Sequence, residues 1–328
     1  MDQLAPRSRM DELYARVERV MLRSDFDRLY ADDIEAILRL KESRNAVILA
    51  HNYQTPEIFH CVSDICGDSL ALARKAQGLD ADIIVMAGVH FMAETAKMMN
   101  PDKTVLIPDM MAGCSLASSI TAADVRAMKA ANPGVPVVTY VNSTADVKAE
   151  SDVCCTSANA ANIVRSLGVP RVIMIPDEFL ARNIQAETGI EMITWPGHCE
   201  VHERFTPAEI RSYRRQNKGV VVMAHPECPP EVVQEADFSG STAAMADYVS
   251  TAKPEKVFLV TECSMSDNLA TLNPDTEFVR PCNLCPHMKR ITLKGLRRTL
   301  ENLTEEIRIP APLMDGGRRA IERMLAVS

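Results

Sequence analysis

Nine short apolar runs, separated by stretches of helical periodicity, fall into three sets of three along this chain. The first set covers residues 47–50, 83–87 and 104–108, the second 137–141, 171–175 and 191–195, and the third 220–224, 256–260 and 277–279. Short apolar runs alternating with helical stretches specify parallel strands joined by crossover helices. The sets also resemble one another. VILAHNYQ opens the first and VVMAHPEC opens the third. Asn100-Pro101-Asp102 and Asn273-Pro274-Asp275 precede the last strand in those two sets, where the second set has Glu187-Thr188-Gly189. At 328 residues the chain exceeds the roughly 250–300 residues that one core serves. The expected fold is therefore α/β: three similar αβα domains with small parallel sheets, related by pseudo-threefold symmetry. Residues 1–115 hold N-terminal helices plus the first unit, 116–200 the second and 201–290 the third. Residues 291–328 form a helical tail expected to pack back on the first unit. Helical spacing also marks 11–22 and 32–41, the latter with Asp32 or Asp33 as its cap.

Each third run leads into a loop with a cysteine: Cys114 in AGCS, Cys199 in PGHC and Cys285 in CNLCP. They are separated by 85 and 86 residues, the spacing a threefold repeat requires. Ligands of parallel α/β units gather at the carboxyl ends of strands, so three units around one axis would bring these three loops to one place. This selects three cysteines out of ten. Cys61, Cys66, Cys154 and Cys155 read as structural thiols, and Cys282-Asn-Leu-Cys285 is the only CxxC.

Three converging thiolates can hold a zinc ion or a 4Fe-4S cluster. Zinc sites draw on closely spaced pairs, whereas a larger cubane suits ligands from three directions. It would leave one iron without a thiolate, open to act as a Lewis acid by the logic of an open zinc site.

Polar residues crowd the ends of the first strands: His51 and Tyr53, Tyr140 and Asn142, His225 and Glu227. His198 and His202 flank Cys199. Gly67-Asp68-Ser69, Cys155-Thr156-Ser157 and Gly240-Ser241-Thr242 read as three equivalent helix starts, whose free N–H groups suit phosphate or carboxylate. The net charge of −8 argues against a nucleic-acid partner. No run of about 18 uninterrupted apolar residues offers a membrane span, and residues 1–10 do not read as a secretory signal. The cytoplasm is the expected location, where thiols rather than structural disulfides are the rule.

The motifs His51-Asn52-Tyr53-Gln54, Phe91-Met92-Ala93-Glu94, Ala112-Gly113-Cys114-Ser115, Tyr140-Val141-Asn142, Cys155-Thr156-Ser157-Ala158-Asn159, Pro196-Gly197-His198-Cys199 with His202, His225-Pro226-Glu227-Cys228, Gly240-Ser241-Thr242 and Cys285-Pro286-His287-Met288-Lys289 together resemble the quinolinate synthase family of NAD biosynthesis. The resemblance implies condensation of iminoaspartate with dihydroxyacetone phosphate, giving quinolinate, phosphate and two waters. It implies one 4Fe-4S cluster per chain on Cys114, Cys199 and Cys285, near the centre of a triangle of domains. It makes His51, Ser69, Tyr140, Asn142, Ser157, His225, Glu227, Ser241 and Thr242 substrate-binding positions and links Tyr53 to catalysis. Glu227 or a neighbouring histidine such as His225 would be the base. An L-aspartate oxidase would supply iminoaspartate. One departure from the family is Val279, which stands where some members carry a further cysteine. Only Cys282 and Cys285 then remain to form a redox disulfide.

Overall fold

The computed structural model describes residues 8–279 and 283–327. Three four-stranded sheets, parallel throughout, form the three units. The first contains β1 Ala46–His51, β2 Ile65–Gly67, β3 Ile83–Ala87 and β4 Thr104–Leu106 in the order β2-β1-β3-β4. The second contains β5 Val137–Tyr140, β6 Val153–Cys155, β7 Arg171–Ile175 and β8 Glu191–Thr194, ordered β6-β5-β7-β8. The third contains β9 Val221–Ala224, β10 Phe238–Ser239, β11 Lys256–Val260 and β12 Glu277–Val279, ordered β10-β9-β11-β12. The chain leaves each first strand to one side, then crosses to the other. The carboxyl ends of β1, β5 and β9 are thus switch points, where a crevice opens.

Each sheet has one strand more than the apolar runs show. β2, β6 and β10 are two or three residues long, lie outside the nine apolar runs, and pair beside the first strand as in Leu49↔Ile65, Val138↔Val153 and Phe238↔Met223. At the N-terminus the helix Arg9–Ala15 starts from a capping box between Ser8 and Asp11 and ends before residue 22. Neither Asp32 nor Asp33 caps the next helix. A wider helical turn, Phe26–Tyr30, runs straight into Ala31–Arg44, so those aspartates sit inside its first turn.

One apolar core runs through the first two units, the second keeps a further cluster around Val125, Val137 and Ile173, and the third has separate clusters on the two faces of its sheet. After the third unit, the helix Leu293–Asn302 lies against Ala31–Arg44. The C-terminal helix Ala311–Val327 lies against the helix Ala145–Ala149 and β6 of the second unit, and against His90–Met99 of the first. Among the described residues, no helix is long and apolar enough to cross a membrane.

Candidate functional site

Where the three units meet they line a common cavity. His51, Tyr53, Ser69 and Cys114 reach it from the first unit, and Tyr140, Asn142, Ser157 and Cys199 from the second. His225, Glu227, Thr242 and Cys285 reach it from the third. Ser241 is not on its wall. Its hydroxyl accepts the Ala244 N–H at 3.2 Å and caps the helix Thr242–Ala252.

The ends of β1 and β9 make the same turn. His51 Nδ1 accepts the Tyr53 N–H at 3.2 Å, and His225 Nδ1 accepts the Glu227 N–H at 3.3 Å. Burial lowers the His51 pKa to about 4 and that of His225 to about 3, against the opposing pull of Glu227. Both imidazoles are therefore neutral near pH 7. Each offers its Nε2 hydrogen as a donor.

Glu227 is the hub. Its carboxylate accepts from the Tyr140 hydroxyl and from the Asn142 amide at 3.3 Å, and lies 2.7 Å from His202 Nδ1. Burial alone would raise its pKa. His225, His202 and the Tyr140 hydroxyl outweigh that and hold it well below the usual carboxylate range, so it is an anion. Burial first, and Glu227 second, push the Tyr53 and Tyr140 phenols well above their ordinary values, and both stay protonated.

His202 Nε2 lies 2.9 Å from the Thr261 hydroxyl, which lies 2.6 Å from the Tyr53 hydroxyl. One chain of close polar contacts thus runs from Tyr53 through Thr261 and His202 to Glu227. The His202 ring also stacks on His225 at 4.7 Å. Of the two histidines flanking Cys199, His202 thus belongs to the site. His198 does not line the cavity; it bonds Glu178 at 2.8 Å and stacks on Phe179 at 4.2 Å. Sequence reasoning missed Thr261 and the neighbouring Glu262. It weighed the ends of the first strands, and both residues follow β11, a second strand. The same strand-end rule applied to every strand would have found them.

The three thiols line the same cavity. Cys114 precedes the short helix Ser115–Ser118, and its pKa rises to about 12 through burial, opposed by the amides of Ala117 and Leu116. Burial also raises the Cys199 thiol, reinforced by Glu227 and Cys114 and opposed by the amides of His202 and Val201. It raises Cys285 against the amides of Met288 and His287. Each sulfur thus faces two backbone N–H donors. Such thiols stay protonated alone and give soft thiolates to a metal that brings positive charge, so the donor set fits an iron–sulfur cluster or zinc. Cys199, His202 and Glu227 form a second possible set, with donor atoms within 4.8 Å of one another.

The loops carrying the thiols are tied together. Ser115 Oγ donates to the His198 carbonyl at 3.1 Å and accepts from the Glu200 N–H at 3.2 Å. His287 Nε2 lies 2.9 Å from Glu200. Buried Glu262 accepts the Cys285 N–H at 3.4 Å and pairs with Lys289 at 3.0 Å. Lys289 in turn donates to the Tyr53 carbonyl at 2.7 Å. Cys61, Cys66, Cys154, Cys155 and Cys228 lie off the cavity wall. Cys282, and with it the expected pairing to Cys285, lies outside the described residues.

The three helix starts are not equivalent. Ser69 opens the helix Ser69–Ala76 with Asp68 as its cap, and Thr242 opens its helix with Ser241 as the cap. Ser157 instead sits in a turn in which the Asn159 side chain accepts the Thr156 N–H at 2.7 Å. That helix begins only at Ala160. The Asn52 amide donates to Thr242 Oγ1 at 2.8 Å, which leaves the Thr242 hydroxyl hydrogen free to point elsewhere.

Comparison with known proteins adds a family. A sequence model of the family described as Quinolinate synthetase A protein matches residues 35–326. Quinolinate synthase 2 of Mesorhizobium japonicum is 66% identical over 315 residues, covering 96% of this chain and 97% of that protein. The quinolinate synthase of Agrobacterium fabrum is 64% identical over 315 residues, covering 96% of this chain and 91% of its own. That of Caulobacter vibrioides is 57% identical over 302 residues, 91% of this chain and 82% of its own.

Proposed function

The chain belongs to the Quinolinate synthetase A family, and on that premise we propose that it condenses iminoaspartate with dihydroxyacetone phosphate to give quinolinate, phosphate and two waters in NAD biosynthesis. The observation that carries this reading is the single cavity in which three thiols and the Glu227 hydrogen-bond network face one another. Cys114, Cys199 and Cys285 would hold a 4Fe-4S cluster there. Its iron without a thiolate would supply Lewis-acid chemistry to a substrate oxygen.

The other groups divide the remaining work. The substrates together carry one phosphate and two carboxylates. Ser69, Ser157 and Thr242 bind these anions, aided at Ser69 and Thr242 by free N–H groups in the first helical turn. Neutral His51 and His225 donate Nε2–H bonds to substrate oxygens. Joining the two substrates removes a proton beside a carbonyl or imine, and the ionised Glu227 is placed to take it. Each dehydration expels a hydroxyl, and the protonated phenol of Tyr53 is placed to deliver the proton that leaves as part of the water. The Thr261 and His202 bridge connects the two: Glu227 returns its proton to His202 Nδ1 as His202 Nε2 gives its hydrogen to Thr261 and Thr261 gives its own to the Tyr53 phenolate. The proposal places the chain in the cytoplasm, with an L-aspartate oxidase as the supplier of iminoaspartate.

The test is an assay of anaerobically reconstituted protein for quinolinate from iminoaspartate and dihydroxyacetone phosphate. Formation of quinolinate with release of phosphate supports the reading, and its absence from protein with a full metal complement overturns it. Cys199, His202 and Glu227 favour a second reading, a single zinc-type ion. Metal analysis separates them: about four irons and four sulfides per chain for the cluster, one zinc and no sulfide for the ion.

A further inference from the structure

The end of β5 and the loop after it carry two of the groups that bond Glu227, Tyr140 and Asn142. Their neighbours Val141 and Ser143 give their carbonyl oxygens to the ammonium of Lys148, at 2.9 Å in the case of Val141. Lys148 has no exposed surface. Its ammonium stands 5.4 Å over the ring of Phe91, and the Phe91 side chain is part of the cavity wall. Buried Glu94 lies within Coulombic reach and holds the Lys148 helix at its start by accepting the Ala145 N–H at 3.0 Å. A fully buried ammonium is costly, and one that only filled space would be better replaced by an apolar side chain. This one is spent on two carbonyls that alternate along the chain with two cavity residues.

The C-terminal helix backs the arrangement. A Cβ added at Gly316 would stand 2.8 Å from the Ala149 Cβ and 3.2 Å from its carbonyl oxygen. One added at Gly317 would overlap the Met98 thioether and stand 3.5 Å from the Lys148 Cβ. Two adjacent glycines let the helix Ala311–Val327 seat directly on the Ala145–Ala149 helix, with Lys148 at that contact.

We propose that Lys148 is a positioning residue of the substrate cavity, whose ammonium fixes the backbone of residues 140–143 so that Tyr140 and Asn142 meet Glu227 and substrate, with the Gly316-Gly317 face of the C-terminal helix as its support. The inference rests on the reading above, in which Tyr140 and Asn142 bind substrate. It goes beyond that reading by giving a role to Lys148 and to the tail.

The test uses Lys148→Met and, as a change that leaves the ammonium in place, Gly316→Ala, both in anaerobically reconstituted enzyme. Two quantities are measured: KM and kcat for both substrates, and hydrogen exchange of the amides of residues 140–144. In Lys148→Met the exchange of this segment should quicken and KM should rise about tenfold or more, as for a lost charged hydrogen-bond donor, with iron content unchanged. Gly316→Ala should move both quantities the same way by less, and it carries the test alone if Lys148→Met does not fold. Wild-type KM in the folded variant overturns the proposal, whether or not exchange quickens, because a purely structural lysine would alter exchange alone. If the wild-type enzyme forms no quinolinate, the proposed reaction fails. The dissociation constant of dihydroxyacetone phosphate, measured by titration, then takes the place of KM: a rise in Lys148→Met supports this inference, and an unchanged value overturns it.

Discussion

The imidazole Nδ1 of His202 lies 2.7 Å from a carboxylate oxygen of Glu227 and 3.2 Å from the sulfur of Cys199. One histidine therefore touches both the proton-handling groups and the thiol centre. Its other nitrogen opens onto Thr261 and, through it, Tyr53. This arrangement makes the site a connected network rather than a set of separate polar groups, and its members should respond to substitution in distinguishable ways.

Thr261→Val keeps the shape of a fully buried side chain and removes the hydroxyl that joins Tyr53 to His202. Breaking one link of a proton-transfer chain should lower kcat by about 10²-fold, at the lower end of what general acid–base groups contribute. KM and iron content should stay near wild type. Steady-state kinetics on folded protein decide it, and an unchanged kcat removes Thr261 from the mechanism.

Glu227 and Thr242 should separate cleanly. Glu227→Gln keeps size and hydrogen-bonding capacity but cannot take a proton, so kcat should fall by about 10²–10⁴ with KM little changed. Thr242→Ala removes a hydroxyl whose hydrogen is left free by the Asn52 contact. Losing a donor to a charged group costs about 1.5–3 kcal/mol, hence a KM raised roughly tenfold to a hundredfold if the contact is equal in ground and transition states. A Glu227→Gln enzyme with wild-type kcat would pass the base role to His225 or Tyr53.

Cys114→Ala, Cys199→Ala and Cys285→Ala should each abolish the brown chromophore or leave it unstable in anaerobic protein. Cys61, Cys154, Cys155 and Cys228 are buried away from the cavity, and their replacement by alanine should leave iron content near normal. Iron and sulfide analysis of each variant provides the check. Loss of iron in Cys228→Ala with retention in Cys285→Ala would refute the ligand set.

Asp177 predicts a dependence of stability on pH. One carboxylate oxygen accepts the Leu180 N–H at 3.0 Å, whereas the other is buried with no hydrogen-bond partner. Burial first, and Glu227 second, raise its pKa well above the ordinary value. A carboxyl whose folded pKa exceeds its unfolded value of about 3.9 favours the folded state most at low pH and loses that advantage as pH rises through the interval between the two. Asp177→Asn keeps the cap oxygen and removes the titration. The variant should gain on the wild type as pH rises from 5 to 7, reaching at least about 1 kcal/mol, the lower bound for an unsatisfied buried group. Thermal unfolding of both proteins across that range measures it, and a difference independent of pH would show that Asp177 does not titrate in this window.

Much of this architecture was legible before any coordinates. Nine of the twelve strands follow from their apolar runs, and the 85 and 86 residue spacings single out Cys114, Cys199 and Cys285 as residues that line one cavity. The reading failed where signals were short or shared. β2, β6 and β10 lie outside the nine apolar runs. Ser157 looks like its counterparts Ser69 and Thr242, yet the Thr156–Asn159 turn delays its helix by three residues. Ser241 has the composition of an anion-binding position, but its hydroxyl is occupied as a cap.

The sequence by itself determined the three repeated α/β units, the strand ends that carry His51, Tyr140 and His225, and the three cysteines of the site. Hydrophobic period and motif spacing are properties of neighbours along a chain, so one sequence can display them. Only the tertiary structure decided that Thr261 stands between Tyr53, 208 residues away, and His202, 59 residues away, and that Lys148 grips the loop beside Glu227. Those contacts depend on how three separately formed sheets are set against one another to within a hydrogen-bond length. That juxtaposition arises from packing between units and leaves no periodic trace along the chain.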